Sequence, residues 1–238
     1  IRHAVIQQAE KGLMYQGPFE IQVAVAEKLK AVLPVNERFV FCNSGTEAMH
    51  KAMMLARAHT KRDKVVKFAG TYHGTYDQSI LNVRALPYET IPIAANPYIA
   101  GIPQRSMDDT FILPMNDEAG LAVIDQHGSD LAAVVLELIT SYGLIRTDQT
   151  YLEKLAALCK KHGILLVYDE VITGFRLALA GAQSLYGVEP DIIVYGKALG
   201  GGMPMGMLAT RRNILDPCTK QKPPLMMGGT FSGNAMCM

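Results

Sequence analysis

The fold is decided by one stretch, residues 165–206, which reads LLVYDEVITGFRLALAGAQSLYGVEPDIIVYGKALGGGMPMG. Two apolar runs, 164–168 and 192–195, lead directly to Asp169 and, after one glycine, to Lys197. Short apolar runs that end in a charge are typical of parallel strands buried on both faces. Ligands of open α/β sheets bind just past the carboxyl ends of such strands. The stretch therefore predicts a parallel sheet with Asp169 and Lys197 at one crevice.

This pair of side chains suggests a particular cofactor chemistry. A lysine amine can form a Schiff base with an aldehyde cofactor, and desolvation beside that cofactor is expected to lower the pKa of Lys197. An aspartate that faces a pyridine nitrogen keeps the nitrogen protonated through a charge-assisted hydrogen bond. The glycines at 200–202 let the backbone approach closely. An ordinary salt bridge between Asp169 and Lys197, with the glycines serving as turns, explains these residues equally well.

Composition limits the class of protein. The 238 residues suit one large domain or two small ones, and a hydrophobic share of 49% is enough for a sizeable core. A net charge of +1 gives no electrostatic reason to expect nucleic acid or an acidic membrane surface as a partner. Four cysteines without a CxxC pair fit a reducing compartment, so a cytoplasmic protein is expected. No apolar run has membrane-spanning length, and the first residues do not read as a signal peptide.

Strands alternate with helices along the chain. Apolar periodicity predicts helices at 3–12, 19–33, 44–60, 117–127 and 150–162, a helix-like segment at 178–186 and a short helix at 211–215. Further strands are predicted at 39–42, 65–68 and 131–136, and residues 84–116 read as a long loop. The alternation predicts a three-layer α/β/α fold with a mostly parallel sheet flanked by helices. Cys159 and His162 share a helix face without further ligands, so no metal site is expected.

Five segments meet at the predicted carboxyl edge of the sheet, namely 44–46, 72–73, Glu137, Asp169 and Lys197. Ser44 and Glu47 fit a capping box, so the helix beginning there presents free backbone N–H groups suited to a phosphate. A well-capped structural helix accounts for the same motif. Tyr72 could stack on a planar cofactor, although packing alone also explains an aromatic there. The glycines fit neither a P-loop nor a dinucleotide fingerprint, so nucleotide binding is a poor interpretation.

Together these motifs resemble the class III aminotransferases, which are fold-type I enzymes that use pyridoxal 5′-phosphate. The subgroup most similar is that of glutamate-1-semialdehyde 2,1-aminomutase and its aminotransferase relatives. The motifs stand in family order and read NSGTEA (43–48), YHG (72–74), DEVITGFR (169–176), GVEPDIIVYGKALGGGMPMG (187–206) and GGTFSGN (228–234).

The resemblance implies a role for each matching position. Lys197 would hold the cofactor as a Schiff base, and Asp169 would bind its pyridine nitrogen. Val171 and Tyr72 would pack on the two faces of the ring. The remaining implied contacts are Ser44, Gly45 and Thr46 at the phosphate, His73 and Glu137 as further polar contacts, and Thr230 at the phosphate of a partner subunit's cofactor. The resemblance thus implies a homodimer, a small-molecule amine or amino-acid substrate and no metal.

Domain limits and reaction type also follow from the resemblance. Residues 1–34 are expected to form a helical lead-in and 35–238 the cofactor-binding major domain, with both ends of the chain truncated and the small C-terminal domain absent. Leu138 replaces the usual proline, Ser141–Tyr142 stands where the aminomutases have Gly-Asn, and 85–107 does not resemble their gating loop. The leading hypothesis is an aminotransferase acting between an amine donor and a keto or aldehyde acceptor. An aminomutase and a catalytically silent cofactor-binding fragment are the alternatives.

Overall fold

The computed structural model describes residues 1–15, 17–33, 36–84 and 87–238. Its centre is one seven-stranded sheet in the order β1-β7-β6-β5-β4-β2-β3. The strands are β1 (Arg38–Cys42), β2 (Lys64–Phe68), β3 (Thr110–Leu113), β4 (Leu131–Leu136), β5 (Leu165–Asp169), β6 (Ile192–Tyr195) and β7 (Gly206–Thr210). The helices are α1 (Arg2–Lys11), α2 (Glu20–Val32), α3 (Gly45–Thr60), α4 (Gln104–Asp108), α5 (Glu118–His127), α6 (Gln149–His162) and α7 (Arg212–Lys220).

The direction of the strands brings most of their carboxyl ends to one edge. Strands β3, β2, β4, β5 and β6 pair in parallel, whereas β7 is antiparallel to both β6 and β1. Strand β1 therefore points the same way as β6, and β7 is the one reversed strand among those described. The predicted mostly parallel α/β sheet is confirmed.

Helices cover both faces of this sheet and make the three layers. Helices α3 and α7 pack on one face, where Met49, Met53 and Ile214 meet the strand side chains. Helices α2, α5 and α6 pack on the other face through residues such as Leu29 and Leu152. Every residue of β4, β5 and β6 is buried, which explains why these strands read as continuous apolar runs. No helix of the described residues is long and apolar enough to cross a membrane.

Two local predictions were wrong, one strand was missed, and one helix is longer than predicted. The long loop at 84–116 contains α4 and the edge strand β3, whose four residues are too few to give a periodic signal. The helix-like segment at 178–186 is only a 3₁₀ turn at Ala182–Leu185, because two backbone N–H groups there, at 182 and 183, bond the buried Glu170 carboxylate. Strand β7 was not predicted, and the short helix at 211–215 extends to Lys220.

The proposed division between lead-in and major domain falls at residues 34 and 35, which lie outside the described residues. Leu29 of α2 and Leu33, directly after the helix, lie in the same buried cluster as residues of the sheet. The division itself stays a prediction.

Candidate active site

A cavity of about 290 Å³ opens at the edge where the carboxyl ends of the parallel strands meet. It receives side chains from the segments that follow β1, β2, β4, β5 and β6, so distant parts of the chain share one wall. All the site residues predicted from the sequence line it except Thr230. The lining consists of Ser44, Gly45, Thr46, Met49, Tyr72, His73, Gly74, Glu137, Asp169, Val171, Ile172 and Lys197.

Asp169 ends β5 and is held by two donors. The His73 ring nitrogen Nδ1 lies 2.8 Å from Asp169 Oδ2, and the Val171 backbone N–H donates to Oδ1 over 3.0 Å. An ionised carboxylate only accepts hydrogen bonds, so Nδ1 carries the proton in this pair. His73 Nε2 is buried and has no hydrogen-bond partner among the described residues. Both donors orient the Asp169 carboxylate, whose remaining lone pairs stay available to a ligand.

Glu137 follows β4 and connects two loops at the base of the cavity. Its carboxylate accepts from the backbone N–H of Tyr72 over 3.3 Å and from that of Ser141 over 2.9 Å, and also from the Ser141 hydroxyl. Burial raises the pKa of Glu137 above its ordinary value, and a positive charge on His73 would oppose that rise. Glu137 therefore fixes the backbone that carries Tyr72.

Lys197 lies two residues beyond the end of β6, after Gly196, and opens a 3₁₀ turn that ends at Gly200. Its φ of +43° is in the left-handed region, which costs a residue with a side chain about 1–2 kcal/mol. The side chain is exposed. The chain alone therefore leaves the Lys197 amine in solvent, and the desolvation suggested by the sequence would require a bound cofactor.

The wall between Ser44 and Lys197 is shaped by glycines. A methyl carbon added at Gly45 would lie 3.0 Å from Val171, and one at Gly196 would lie 3.2 Å from it. Val171 is thus held between two glycines and presents its side chain to the cavity. Gly74 has a φ of +97°, and an added methyl would lie 2.6 Å from the Thr46 hydroxyl oxygen. The absence of side chains at these glycines brings the strand ends close to the helix.

The first turn of α3 lines the cavity through Gly45 and Thr46. Ser44 caps the helix by accepting from the Glu47 backbone N–H over 3.1 Å, and Glu47 Oε2 accepts from the Asn43 N–H over 2.8 Å. The Ser44 half of the predicted capping box is therefore present, whereas Glu47 accepts from the N–H of Asn43, one residue before the N-cap, and not from that of Ser44. The helix has 16 residues, and its first backbone N–H groups form an end suited to an anion.

Sequence reasoning missed three lining residues. Gly74 belongs to the YHG motif and Ile172 follows Val171 in the DEVITGFR motif, so both could have been predicted from their position beside other site residues. Met49 had none, because only the orientation of α3 shows which helix positions face the cavity. Thr230 is exposed and lines a different cavity, of about 380 Å³, together with Tyr15 and Phe41.

Comparison with known proteins places the chain in a family. A model of the family Aminotransferase class-III matches residues 1–238. Glutamate-1-semialdehyde 2,1-aminomutase 2 of Lachnoclostridium phytofermentans is 39% identical over 240 residues, which cover 100% of this chain and 55% of that protein. Glutamate-1-semialdehyde 2,1-aminomutase of Neisseria meningitidis serogroup A is 38% identical over 99% of this chain and 54% of its own length. The chain thus spans about half the length of the curated relatives it matches.

Solved structures show the same likeness. An omega-transaminase from Sphaerobacter thermophilus superposes with a TM-score of 0.92 at 35% identity, over 99% of this chain and 55% of that one. A transaminase with PLP bound superposes with a TM-score of 0.89 at 32% identity, over 99% of this chain and 55% of that one. With the family match over its whole length and these superpositions, the chain belongs to the class-III aminotransferases.

Proposed function

We propose that this protein is a pyridoxal 5′-phosphate-dependent aminotransferase that moves an amino group between an amine or amino acid and a keto or aldehyde acceptor. One observation carries the proposal. Asp169 and Lys197 reach the same cavity from the ends of the adjacent strands β5 and β6, and the amino end of α3 lines that cavity as well. This cofactor needs a carboxylate for its ring nitrogen, an amine for its aldehyde and an anion site for its phosphate, and the cavity has all three.

The residues present fit the cofactor. The buried Asp169 carboxylate keeps lone pairs free, and the closely packed glycines beside Val171 leave a shallow wall against which a flat ring can lie. The cavity of about 290 Å³ is near the lower limit of about 300 Å³ for small-molecule sites. The residues that would hold the cofactor are Asp169 at the ring nitrogen, Val171 and Tyr72 at the ring faces, Lys197 at the aldehyde, and Ser44, Gly45 and Thr46 at the phosphate.

The chain's own groups divide the work between charge and proton transfer. When bound, the cofactor supplies an aldehyde for amine capture and a protonated ring that accepts electrons. Asp169 would face the ring nitrogen, and the hydrogen bonds that it accepts from His73 and the Val171 N–H fix the orientation of its carboxylate. The freed Lys197 Nζ acts as the base that takes a proton from the amine-bearing carbon of the substrate.

A labelling experiment tests this proposal. Borohydride reduction of protein mixed with pyridoxal 5′-phosphate should fix the cofactor covalently to Lys197, as located by peptide mass spectrometry. Lys197→Ala should remain unlabelled at that peptide and lose turnover of amine donors. The matched control is Lys64→Ala, at the end of β2 that lies away from the cavity. It should be labelled at Lys197 as in wild type. A label on another lysine of the wild type would contradict the assignment.

An aminomutase is the second candidate, because curated relatives at 38–39% identity carry that name. Such an enzyme exchanges amino groups within one substrate and needs no external acceptor. Turnover measured with and without added keto acid separates the two reactions. A silent cofactor-binding fragment is the third candidate, and it would bind the cofactor without turning over any amine.

The assembly is also part of the proposal. Thr230 is exposed and lies outside its own chain's active-site cavity, which is what a contribution to a partner subunit requires. We therefore expect a two-fold homodimer in which Thr230 reaches the partner's cofactor phosphate. Lys197→Ala and Thr230→Trp, each inactive alone, should recover activity when co-expressed as mixed dimers. Mixed dimers without recovery would contradict the shared site. The cytoplasmic location stays a prediction.

A further inference from the structure

A buried lysine stands in β2, the strand that precedes two residues of the active-site cavity. This lysine, Lys67, is only 2% exposed. It is as buried as its apolar neighbours Val66 and Phe68, although it carries an amine. Burial of a charge is unfavourable unless the charge is paired or hydrogen-bonded. A lysine at this position therefore needs a specific set of partners.

Those partners are three backbone carbonyls of a single loop, residues 71–81. Lys67 Nζ donates to the carbonyl oxygens of Thr71 over 3.2 Å and of Ser79 over 2.9 Å, and also to that of Leu81. An ammonium has three N–H donors and no acceptor, so all three donors are used. A neutral amine would point a lone pair at one of these carbonyls, so the contacts favour the protonated form.

This loop carries two residues of the cavity. Tyr72 follows directly after Thr71 and donates its backbone N–H to Glu137, while His73 pairs with Asp169. Burial lowers the pKa of Lys67 to about 7, and the negative charge of Glu137 acts in the opposite direction. The cation of β2 and the carboxylate after β4 thus fix the loop from adjacent strands.

We propose that Lys67 is a positioning residue, whose ammonium holds loop 71–81 so that Tyr72 and His73 face the cofactor. It lines no part of the cavity and acts only through the backbone of the loop. The inference rests on the proposed function for what the loop contacts. The anchoring of the loop itself is independent of that function, because it concerns only the described chain.

The test removes the three N–H donors and keeps an unbranched side chain that is one atom shorter. Lys67→Met should accelerate amide hydrogen exchange at least tenfold in peptides covering 71–81, while peptides from β5 keep wild-type rates. Pyridoxal 5′-phosphate, titrated by its absorbance, should bind 10- to 100-fold more weakly. Borohydride should still label Lys197, because that residue is on another loop. Lys67→Gln, which retains two N–H donors, should give intermediate exchange and affinity.

Two control variants on the same strand separate positioning from general damage. Lys64→Met makes the same substitution at a half-buried lysine that pairs with Asp130, and it should leave loop exchange and cofactor affinity unchanged. Val66→Ala removes buried packing without removing a donor. All variants are compared at temperatures equally far below their melting points.

Each outcome decides the inference. Loop exchange in Lys67→Met equal to wild type overturns it, as does a Val66→Ala variant that loosens the loop and weakens the cofactor to the same extent. If Lys67→Met does not fold, the comparison of Lys67→Gln with Val66→Ala decides by the same criteria. A wild-type protein that binds no cofactor would refute the proposed function alone, because the exchange measurement needs none.

Discussion

Replacement of Gly206 by alanine tests how closely the sheet supports the start of α3. A methyl carbon added at Gly206 would contact the Ser44 carbonyl oxygen, 2.5 Å from the Ser44 carbonyl carbon and 2.9 Å from the Gly45 nitrogen. Ordinary contact begins near 3.4 Å, so about 1 Å of movement is required. The opposing atoms belong to the backbone, and no side-chain rotation can relieve the overlap.

The overlap is expected to displace the Ser44–Gly45 peptide at the cavity rather than strand β7. Strand β7 is paired on both sides, with β1 and with β6, so it resists displacement. The Ser44–Gly45 peptide must move instead, and with it the first N–H groups of α3. Overpacking costs about 1–3 kcal/mol, which corresponds to a fall in melting temperature of about 2–12 °C for a chain of this size. A misplacement of about 1 Å can reduce the rate of a positioned reaction about 100-fold.

Melting temperature and absorbance titration with pyridoxal 5′-phosphate measure the two effects. Gly206→Ala should melt earlier and bind the cofactor at least tenfold more weakly. The matched control is Gly228→Ala, where an added methyl meets no heavy atom of the described chain within 4 Å. That variant should behave like wild type in both assays. If Gly206→Ala matched Gly228→Ala, the reasoning from backbone overlap would be refuted.

Three further predictions concern charge and helix stability. Asp169→Asn loses a charge-assisted bond worth about 1.5–3 kcal/mol, so turnover should fall about 10- to 150-fold while the Lys197 label persists; an undiminished rate would mean a structural role. Gly120→Ala should raise stability by about 0.5 kcal/mol because its methyl would lie 3.5 Å from Leu113 in ordinary contact; a lower melting temperature would contradict this. Hydrogen bonds from Arg38 lower the pKa of Asp216, so its stabilisation is present at neutral pH and is lost as pH falls through that lowered pKa; the melting difference between Asp216→Asn and wild type should vanish in acid, and a constant difference would refute it.

The sequence predicted the parts of the fold that local physics determines. Strands β4, β5 and β6 are buried on both faces, so their apolar runs were visible without any partner. Asp169 and Lys197 were found because a charge at the end of such a run has one edge of the sheet to occupy. The position of most of the cavity lining followed from strand direction alone.

Non-local contacts explain what the sequence did not reveal. Strand β7 begins at a glycine after a Gly/Pro-rich turn, and its identity as a strand comes from pairing with β1 and β6. The burial of Lys67 was not predicted, because the loop that covers it comes back to its side chain only at Ser79 and Leu81. The pairing of His73 with Asp169 joins residues 96 positions apart.

The place of β7 in the sheet has a consequence for the nascent chain. Among the described strands β1 has a single neighbour, β7, and the register opposes Cys42 to Gly206. At about 5–20 residues per second, the ribosome completes that partner roughly 8–33 s after β1 emerges. Until then both edges of β1 are open to pairing with other chains, and the Ser44–Gly45 peptide has nothing beneath it. Binding of the proposed cofactor is therefore expected to require β7, and a chaperone that shields β1 in that interval should raise the yield of folded protein.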